Sequence, residues 1–181
     1  LGDTGNDMGI YGSKLYVVMN VSSQVEVVDV KTGKSLAQIA MFDDKAVARE
    51  PRYVEFYRGK AYVCSFDGTL AKIDTASLKI EALVQCGKNP DGICVVNNKI
   101  YVSNSGGLNF PNYDNTVSVI DMASFTEIKK ITVATNPGKI HADSQGDVYV
   151  VTRGNYGVTP YQLHRINSVT DELAETFDDI Q

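Results

Sequence analysis

Two segments of the chain concentrate side chains that suit ligand binding: residues 105–115 and residues 153–161. Both are rich in Asn, Tyr and Gly, and they interrupt the apolar runs around them. Tyr offers a flat contact area and Asn offers adaptable hydrogen bonds, as contacts with a carbohydrate or a peptide require. Wide turns that use Gly for backbone freedom are the alternative interpretation. The candidate ligand-binding residues in these segments, and directly before the first of them, are Asn104, Asn112, Tyr113, Asp114, Arg153, Tyr156 and Tyr161.

Arg52 and His141 complete the candidate set. Arg can bind a carboxylate or an anionic sugar through two parallel hydrogen bonds, and His can act as a ligand or as an acid or base. For the arginines, the alternative is an ion pair within the protein, with Glu50, Asp91 or Asp114 as the partner. For His141 the alternative is a simple hydrogen-bonded role, and His164 is expected to be structural.

Known catalytic motifs do not occur in the sequence. It contains no HExxH, no GxSxG and no phosphate-binding GxxxxGK[ST] motif. The oxygen-rich stretches at residues 3–7 and 112–115 have a weak claim to bind calcium, since their spacing does not match an EF-hand loop. We therefore predict no catalytic residue, no metal ligand and no cofactor.

Composition excludes several functional classes. The 181 residues include 17 Lys and Arg against 22 Asp and Glu, a net charge of −5, whereas nucleic-acid binding needs a basic patch. No apolar stretch approaches 18 residues, so no transmembrane helix is predicted. The three cysteines have no CxxC spacing and are expected to be buried thiols.

The elements that must position the candidate residues form a repeat. Four Tyr-Val pairs, which begin at residues 16, 62, 101 and 149, recur with spacings of 46, 39 and 48 residues. A repeat of this size made of short strands is typical of β-propeller blades, and no helical periodicity competes with it. The sequence predicts an all-β chain, a single β-propeller domain with four four-stranded blades at approximately residues 5–51, 52–90, 91–137 and 138–181.

Each predicted blade has the Tyr-Val pair on its second strand. These runs are apolar on both faces, which suits a strand between neighbouring blades. The predicted strands are 8–11, 15–19, 25–29 and 35–40 in blade 1; 52–56, 61–65, 70–74 and 80–85 in blade 2; 92–96, 100–103, 117–121 and 127–133 in blade 3; and 139–142, 148–152, 163–167 and 173–177 in blade 4.

Turn residues separate the strands at regular positions. The third strands end in an Asx residue, which we interpret as a turn cap and not as part of a catalytic set: Asp29, Asp74, Asp121 and Asn167. Prolines at 51, 90 and 137 are expected in turns between blades. The loops between strands two and three should lie on the same face as the blade-to-blade connections, where propellers commonly bind ligands.

The third repeat resembles the YVTN-repeat family of surface-layer-type β-propellers. The resemblance rests on Tyr101-Val102-Ser103-Asn104, on residues 116–121 and on Asn136-Pro137-Gly138. It implies a ring of about seven blades, of which this chain would supply four. It also implies a prokaryotic protein that is exported to the periplasm or the cell surface, without a known enzymatic activity.

The end blades of an incomplete ring would expose apolar faces. Such faces aggregate or find a partner, so self-association is a possible outcome. The chain belongs to a larger ring, closes as four blades, or pairs with another copy to give eight; we favour the larger ring.

The favoured function is therefore a non-enzymatic binding or scaffold module for a protein or a glycan, through loops on one face. The alternative is a propeller enzyme, such as a lyase, a lactonase or a metal- or quinone-dependent dehydrogenase, with a site at the central channel near His141. A purely structural surface-layer element is the third possibility.

Overall fold

The computed structural model describes residues 2–177, which form sixteen β-strands in four four-stranded antiparallel sheets. In every sheet the strands are adjacent in chain order, as in a meander. This confirms the prediction of an all-β chain with four blades. No helix in the described part of the chain is long and apolar enough to cross a membrane.

The strand bounds agree with the predicted ones to within a few residues. Blade 1 comprises β1 Gly5–Tyr11, β2 Lys14–Met19, β3 Gln24–Asp29 and β4 Ser35–Ala40. Blade 2 comprises β5 Pro51–Tyr57, β6 Lys60–Ser65, β7 Thr69–Asp74 and β8 Lys79–Gln85. Blade 3 comprises β9 Pro90–Val96, β10 Lys99–Asn104, β11 Thr116–Asp121 and β12 Thr126–Thr132. Blade 4 comprises β13 Pro137–Ala142, β14 Asp147–Thr152, β15 Gln162–Asn167 and β16 Glu172–Phe177.

The chain divides into two compact units, one up to Leu83 and one from Val84 onward, and each has its own core. In the first unit, Tyr16, Val18, Val25 and Val27 of blade 1 pack with residues of blade 2, and Phe56 meets the edge of the Tyr16 ring at 5.0 Å. In the second unit, Tyr101, Val117 and Val119 of blade 3 pack with residues of blade 4, among them Ile140, Val148, Val150 and Ile166. Tyr16 and Tyr101 of the repeat are therefore core residues between two blades.

The Asx turn caps are confirmed in all four blades. The side-chain oxygen of each cap accepts backbone N–H bonds; Asp29 Oδ1, for example, accepts them from Lys31 at 3.1 Å and from Thr32 at 2.8 Å. The fifth turn residue donates its N–H to the cap carbonyl at 2.9 Å in every blade and has a positive φ of 52 to 68°. These fifth residues are Gly33, Leu78, Phe125 and Asp171.

The three blade-starting prolines lie elsewhere than predicted. Pro51, Pro90 and Pro137 are each the first residue of a strand and not part of a turn. The first strand of a blade is an edge strand, and a proline at its first position removes no hydrogen bond that the sheet needs. The turn backbone is supplied instead by the preceding residues, Glu50, Asn89 and Asn136, whose φ angles are 56, 45 and 62°.

These preceding residues tie each blade start to its own strand 2–3 loop. In blade 3 the carbonyl of Asn89 accepts the Ser105 N–H at 3.1 Å, and in blade 4 the carbonyl of Asn136 accepts the Arg153 N–H at 3.0 Å. Glu50 binds the Phe66 N–H in the same way at 3.0 Å. Within a blade, the incoming connection and the strand 2–3 loop therefore lie at the same end of the sheet, as predicted.

Candidate functional site

The loop between β10 and β11, residues 105–115, is closed at its base by Gly106 and Asp114. Gly106 has a φ of +62°, and a Cβ there would lie 2.2 Å from the Asp114 backbone nitrogen, so only glycine fits. Asp114 donates its N–H to the Ser105 carbonyl at 3.1 Å, and its carboxylate accepts the Lys88 N–H at 3.0 Å and the Thr116 hydroxyl at 2.7 Å. This candidate residue therefore organises the loop, with both carboxylate oxygens already bound.

The loop between β14 and β15, residues 153–161, closes in a similar way. Gly154 has a φ of +63°, and a Cβ there would lie 2.1 Å from the carbonyl oxygen of Thr159. The side chain of Asn155 accepts the N–H groups of Gly157 at 3.0 Å and Thr159 at 2.9 Å. Asn155 was not in the predicted set; an Asx residue directly after a Gly at a strand end is the signal that could have found it.

The two loops meet through three aromatic rings, which we name the Tyr113 cluster: Phe110, Tyr113 and Tyr156. Tyr113 meets Phe110 at a centroid distance of 6.1 Å and Tyr156 at 6.3 Å, both edge to face. Phe110 is 74% exposed and Tyr156 is 73% exposed, whereas Tyr113 between them is half-buried. The structure thus brings together two predicted residues from different blades and adds a third ring that the sequence reasoning missed.

Further exposed apolar side chains lie in the same two loops. Leu108 is 68% exposed, Val158 is 95% exposed and the candidate Tyr161 is 65% exposed. The candidate Asn112 is also exposed, and its backbone N–H closes a turn on Asn109 at 2.6 Å. Leu108, Phe110 and Val158 were not predicted, because only polar and Tyr side chains were taken as candidates. Apolar residues inside otherwise polar loops could have indicated them.

Arg153 binds inside the protein, as the alternative interpretation anticipated. Its Nη1 donates to Asp91 Oδ2 at 2.6 Å, and Asp91 is only 3% exposed. The guanidinium lies against Gly138, where a Cβ would come within 2.6 Å of it. A buried carboxylate requires such a partner, so Arg153 braces the loop base of blade 4 against β9 of blade 3.

Asn104 is likewise a framework residue. It is fully buried, and its amide donates to Thr116 Oγ1 at 3.0 Å and Ser118 Oγ at 2.9 Å. Its carbonyl oxygen accepts the Gly87 N–H at 3.0 Å. With its amide groups engaged beneath the surface, Asn104 holds β10, β11 and the connection from blade 2 in place, and we leave it out of the candidate site.

Two candidates remain, Arg52 and His141. Arg52, in the first unit, donates to the Asn6 side chain, and its guanidinium lies 4.4 Å from the Phe66 ring centroid. His141 is exposed in β13, opposite Tyr149. The part of the chain that the structure describes contains no group of three or more His, Cys, Asp or Glu able to hold a metal ion. An enzymatic site at His141 stays a prediction.

His164 is structural, as expected. It is 2% exposed, and its Nε2 accepts the Ala134 N–H at 3.3 Å. A backbone N–H can only donate, so Nε2 carries no proton and the ring is the neutral Nδ1–H tautomer. That N–H donates to Thr176 Oγ1 at 2.9 Å.

Comparisons with known proteins define the class. No family model matches, and no curated protein matches. Among solved structures, the chain is similar to hydrazine synthase of Kuenenia stuttgartiensis, at 18% identity over 95% of this chain and 48% of that one, with a TM-score of 0.82. It is also similar to BamB from Moraxella catarrhalis, at 16% identity over 96% of this chain and 48% of that one, with a TM-score of 0.67. The WD40 β-propeller domain of Doa1 follows, at 16% identity over 80% of this chain and 46% of that one, with a TM-score of 0.65.

The fold and these likenesses identify the chain as a β-propeller protein. It spans about half the length of the solved structures that it matches. The likenesses are below 25% identity, so they establish the fold alone, and membership of the YVTN-repeat family stays a prediction.

Proposed function

We propose that this chain is a binding module that holds a protein partner through the Tyr113 cluster and the two loops that carry it. The observation that supports this most is the exposure of Phe110 and Tyr156 on loops that are fixed at their bases. Large aromatic side chains presented on a rigid frame dominate the energy of protein interfaces, because little conformational entropy is lost when they bind.

A protein fits this surface better than a glycan does. Leu108 and Val158 are exposed aliphatic side chains in the same loops, and they offer no hydrogen bond to a sugar hydroxyl. The charged candidates beside the cluster, Arg153 and Asp114, are already engaged in internal bonds. The surface therefore combines an apolar centre with the hydroxyl groups of Tyr113, Tyr156 and Tyr161, and exposed apolar patches mark protein interaction sites.

The proposed setting is the periplasm or the surface of a prokaryotic cell, in a YVTN-type protein without enzymatic activity. Support comes from the resemblance of Tyr101-Val102-Ser103-Asn104 to the family motif. Digestion of intact producing cells with added protease checks the location. A protein at the cell surface is cleaved, a periplasmic one is cleaved only after the outer membrane is opened, and protection until complete lysis contradicts the proposal.

Selection from a displayed library of short random peptides tests the binding surface. Enriched peptides are expected to carry apolar anchor residues. The double variant Phe110→Ser and Tyr156→Ser should weaken the best peptide by about tenfold or more, since each buried aromatic anchor contributes over ~1 kcal/mol. Val169→Ser, 80% exposed on the turn between β15 and β16, is the matched control and should bind unchanged.

The glycan alternative is tested with the same variants on an array of oligosaccharides. Binding to the array that is lost in the double variant, together with no enrichment of any peptide, would contradict the proposal and favour a glycan. Peptides whose binding does not depend on Phe110 or Tyr156 would place the binding surface elsewhere on the chain.

A further inference from the structure

One asparagine holds the strand 2–3 loop of blade 3 against the start of its blade. The N–H groups of Ser105 and Gly106 donate to the carbonyls of Asn89 at 3.1 Å and Lys88 at 2.8 Å. The Asn89 side chain adds a third contact, because its Oδ1 accepts the Leu108 N–H at 3.3 Å. Asn89 therefore binds the loop through both its backbone and its side chain.

The strand 2–3 loop of blade 4 starts with the same construction. Arg153 donates its N–H to the carbonyl of Asn136 at 3.0 Å. The next residue, Gly154, has a φ of +63°, and the corresponding glycine of blade 3 has a φ of +62°. Asn136 is thus the counterpart of Asn89, and Tyr156, two residues after the glycine, is the counterpart of the blade 3 leucine.

The side-chain contact of blade 3 has no equivalent in blade 4. Asn136 is 1% exposed, and its Oδ1 has no hydrogen-bond partner. Within residues 2–177, no atom accepts the Tyr156 N–H. A buried acceptor without a partner costs free energy. The donor and the acceptor that pair in blade 3 are therefore both present in blade 4 but are not bonded to each other.

Tyr156 also has a strained backbone. Its φ is 58°, in the left-handed region that is unfavourable for a bulky side chain. Leu78 and Phe125 share this feature, but the packing of their side chains against apolar neighbours offsets the strain. Tyr156 is 73% exposed, so burial offsets little of its strain. Its counterpart Leu108 does not have a positive φ.

A single change of conformation would remove both of these costs. If the Tyr156 backbone takes the conformation of Leu108, its φ leaves the left-handed region and its N–H reaches the side-chain oxygen of Asn136, as in blade 3. Rotation about the N–Cα bond also carries the ring away from Tyr113, which it meets here at 6.3 Å. The change that relieves the loop therefore takes one ring out of the Tyr113 cluster.

We propose that the loop of residues 153–161 alternates between the conformation described here, which displays the Tyr113 cluster, and a second one closed by a hydrogen bond from the Tyr156 N–H to Asn136 Oδ1. We name this bond the Asn136 latch. Its role rests on the proposed function, because the latch is an autoinhibitory contact at the same surface. The partner binds the displayed conformation, and the latched fraction lowers the apparent affinity in proportion.

Hydrogen exchange of the Tyr156 amide in the free chain tests the latch without any partner. The amide is open to exchange in the displayed conformation and protected in the latched one. Asn136→Gly removes the acceptor, keeps the carbonyl that binds Arg153, and adopts the φ of 62° without strain. The unaltered chain should exchange at Tyr156 at least twofold more slowly than this variant does.

An internal reference separates the latch from a general loss of stability. Amides of β14 and β15, followed by NMR in the same samples, should exchange alike in both chains if only the loop has changed. Equal rates at Tyr156 overturn the proposal. Acceleration at Tyr156 that is matched by equal acceleration in the two strands also overturns it, because the whole unit would then be opening.

Peptide binding tests the autoinhibitory role. Asn136→Gly should bind the best selected peptide more tightly, by the same factor by which its Tyr156 amide exchanges faster, since both factors report the displayed fraction. Asn89→Gly is the matched control: it removes the corresponding side chain of blade 3, whose bond to Leu108 is already made, and should not increase the affinity. Faster exchange without a gain in affinity overturns the role. An exchange difference with no binding peptide at all supports the latch and contradicts the proposed function.

Discussion

At the scale of single residues, the two buried tyrosines Tyr16 and Tyr101 differ although the repeat places them identically. Both are fully buried and follow a Lys by two positions. The Tyr101 hydroxyl donates to the carboxylate of Asp171, which also binds Lys99 Nζ at 2.6 Å. The Tyr16 hydroxyl has no partner, because Leu78 holds the turn position that Asp171 holds in blade 4. The tyrosine hydroxyl between blades 3 and 4 is therefore hydrogen-bonded, and the one between blades 1 and 2 is not.

The titration of the two tyrosines reflects this difference. Burial raises the pKa of Tyr16 to about 12, with a smaller effect from the charge of Asp74. Burial also raises the pKa of Tyr101, and its hydrogen bond to the Asp171 carboxylate raises it further. Both phenols are therefore neutral over the physiological range, and their hydroxyl groups act only as hydrogen-bond partners.

Paired Tyr→Phe substitutions should change stability in different ways. Tyr101→Phe removes a bond to a charged group and should lower the free energy of unfolding by about 2 kcal/mol. Tyr16→Phe removes an unpaired buried hydroxyl, so stability should stay the same or rise. Urea unfolding of the two variants measures the difference. Equal losses in both would mean that the Tyr16 hydroxyl has a partner in solution.

Single-residue contacts were the least predictable part of the site. The turn caps could be found because they are local in sequence, but the Arg153–Asp91 pair joins residues 62 positions apart, and three acidic partners were equally compatible with the spacing. The burial of Asn104 depends on Thr116, Ser118 and Gly87, which reach it only after the strands have paired. The bond between Asp171 and Tyr101 was not predicted, because the equivalent turn position holds Gly, Leu and Phe in the other blades and the repeat therefore gives no sign of a carboxylate there.

At the scale of elements, the turns between third and fourth strands contain Asp carboxyl groups whose surroundings stabilise the charged form. The Thr32 hydroxyl lowers the pKa of Asp29, the Lys60 ammonium lowers the pKa of Asp74, and the Ser124 N–H lowers the pKa of Asp121. A pKa that is lower in the folded state means that the unfolded chain binds protons first as the pH falls. These turns therefore add stability above the ordinary Asp pKa of about 4 and lose it below.

Replacing the three capping Asp residues by Asn should reduce this acid sensitivity. The amide oxygen can still accept the turn N–H bonds, as Asn167 does from Val169 at 2.8 Å in blade 4. The unaltered chain should lose stability as the pH falls from about 4 through the lowered pKa values, and the triple variant should lose less. Thermal unfolding across this pH range checks it, with the exposed Asp44→Asn as control. An unchanged pH slope in the triple variant would show that other carboxylates dominate.

The strands themselves were predictable because each is encoded locally. The second strands are continuous apolar runs, and the outer strands β8 and β12 alternate between exposed and partly buried positions. The positions of the irregularities were not predicted. The register shifts between Pro51 and Tyr53 and between Pro137 and Ile140 lie where the first strand of a blade pairs with the second, and each begins at a blade-starting proline.

At the scale of the whole molecule, the three cysteines report on how the two units open. All three are thiols and not disulfides, and the exposure is 0% for Cys64, 5% for Cys86 and 2% for Cys94. A buried thiol reacts with a water-soluble reagent only when the structure around it opens. Cys64 belongs to the first unit and Cys94 to the core of the second, which also contains Tyr101. Labelling therefore measures the opening of each unit separately.

Native labelling should be slow at all three thiols and immediate in denaturant, and a reducing agent should not change the unfolding midpoint. Tyr101→Phe weakens the core that contains Cys94, so it should accelerate labelling of Cys94 more than that of Cys64. A loss of about 2 kcal/mol in local opening corresponds to a rate increase of roughly thirtyfold when reclosing is fast. Mass spectrometry of the labelled peptides resolves the two sites, and Tyr16→Phe is the control that should accelerate neither. Equal acceleration at both sites would mean that the two units open together, because the lost bond would then weaken one cooperative structure and not the second unit alone.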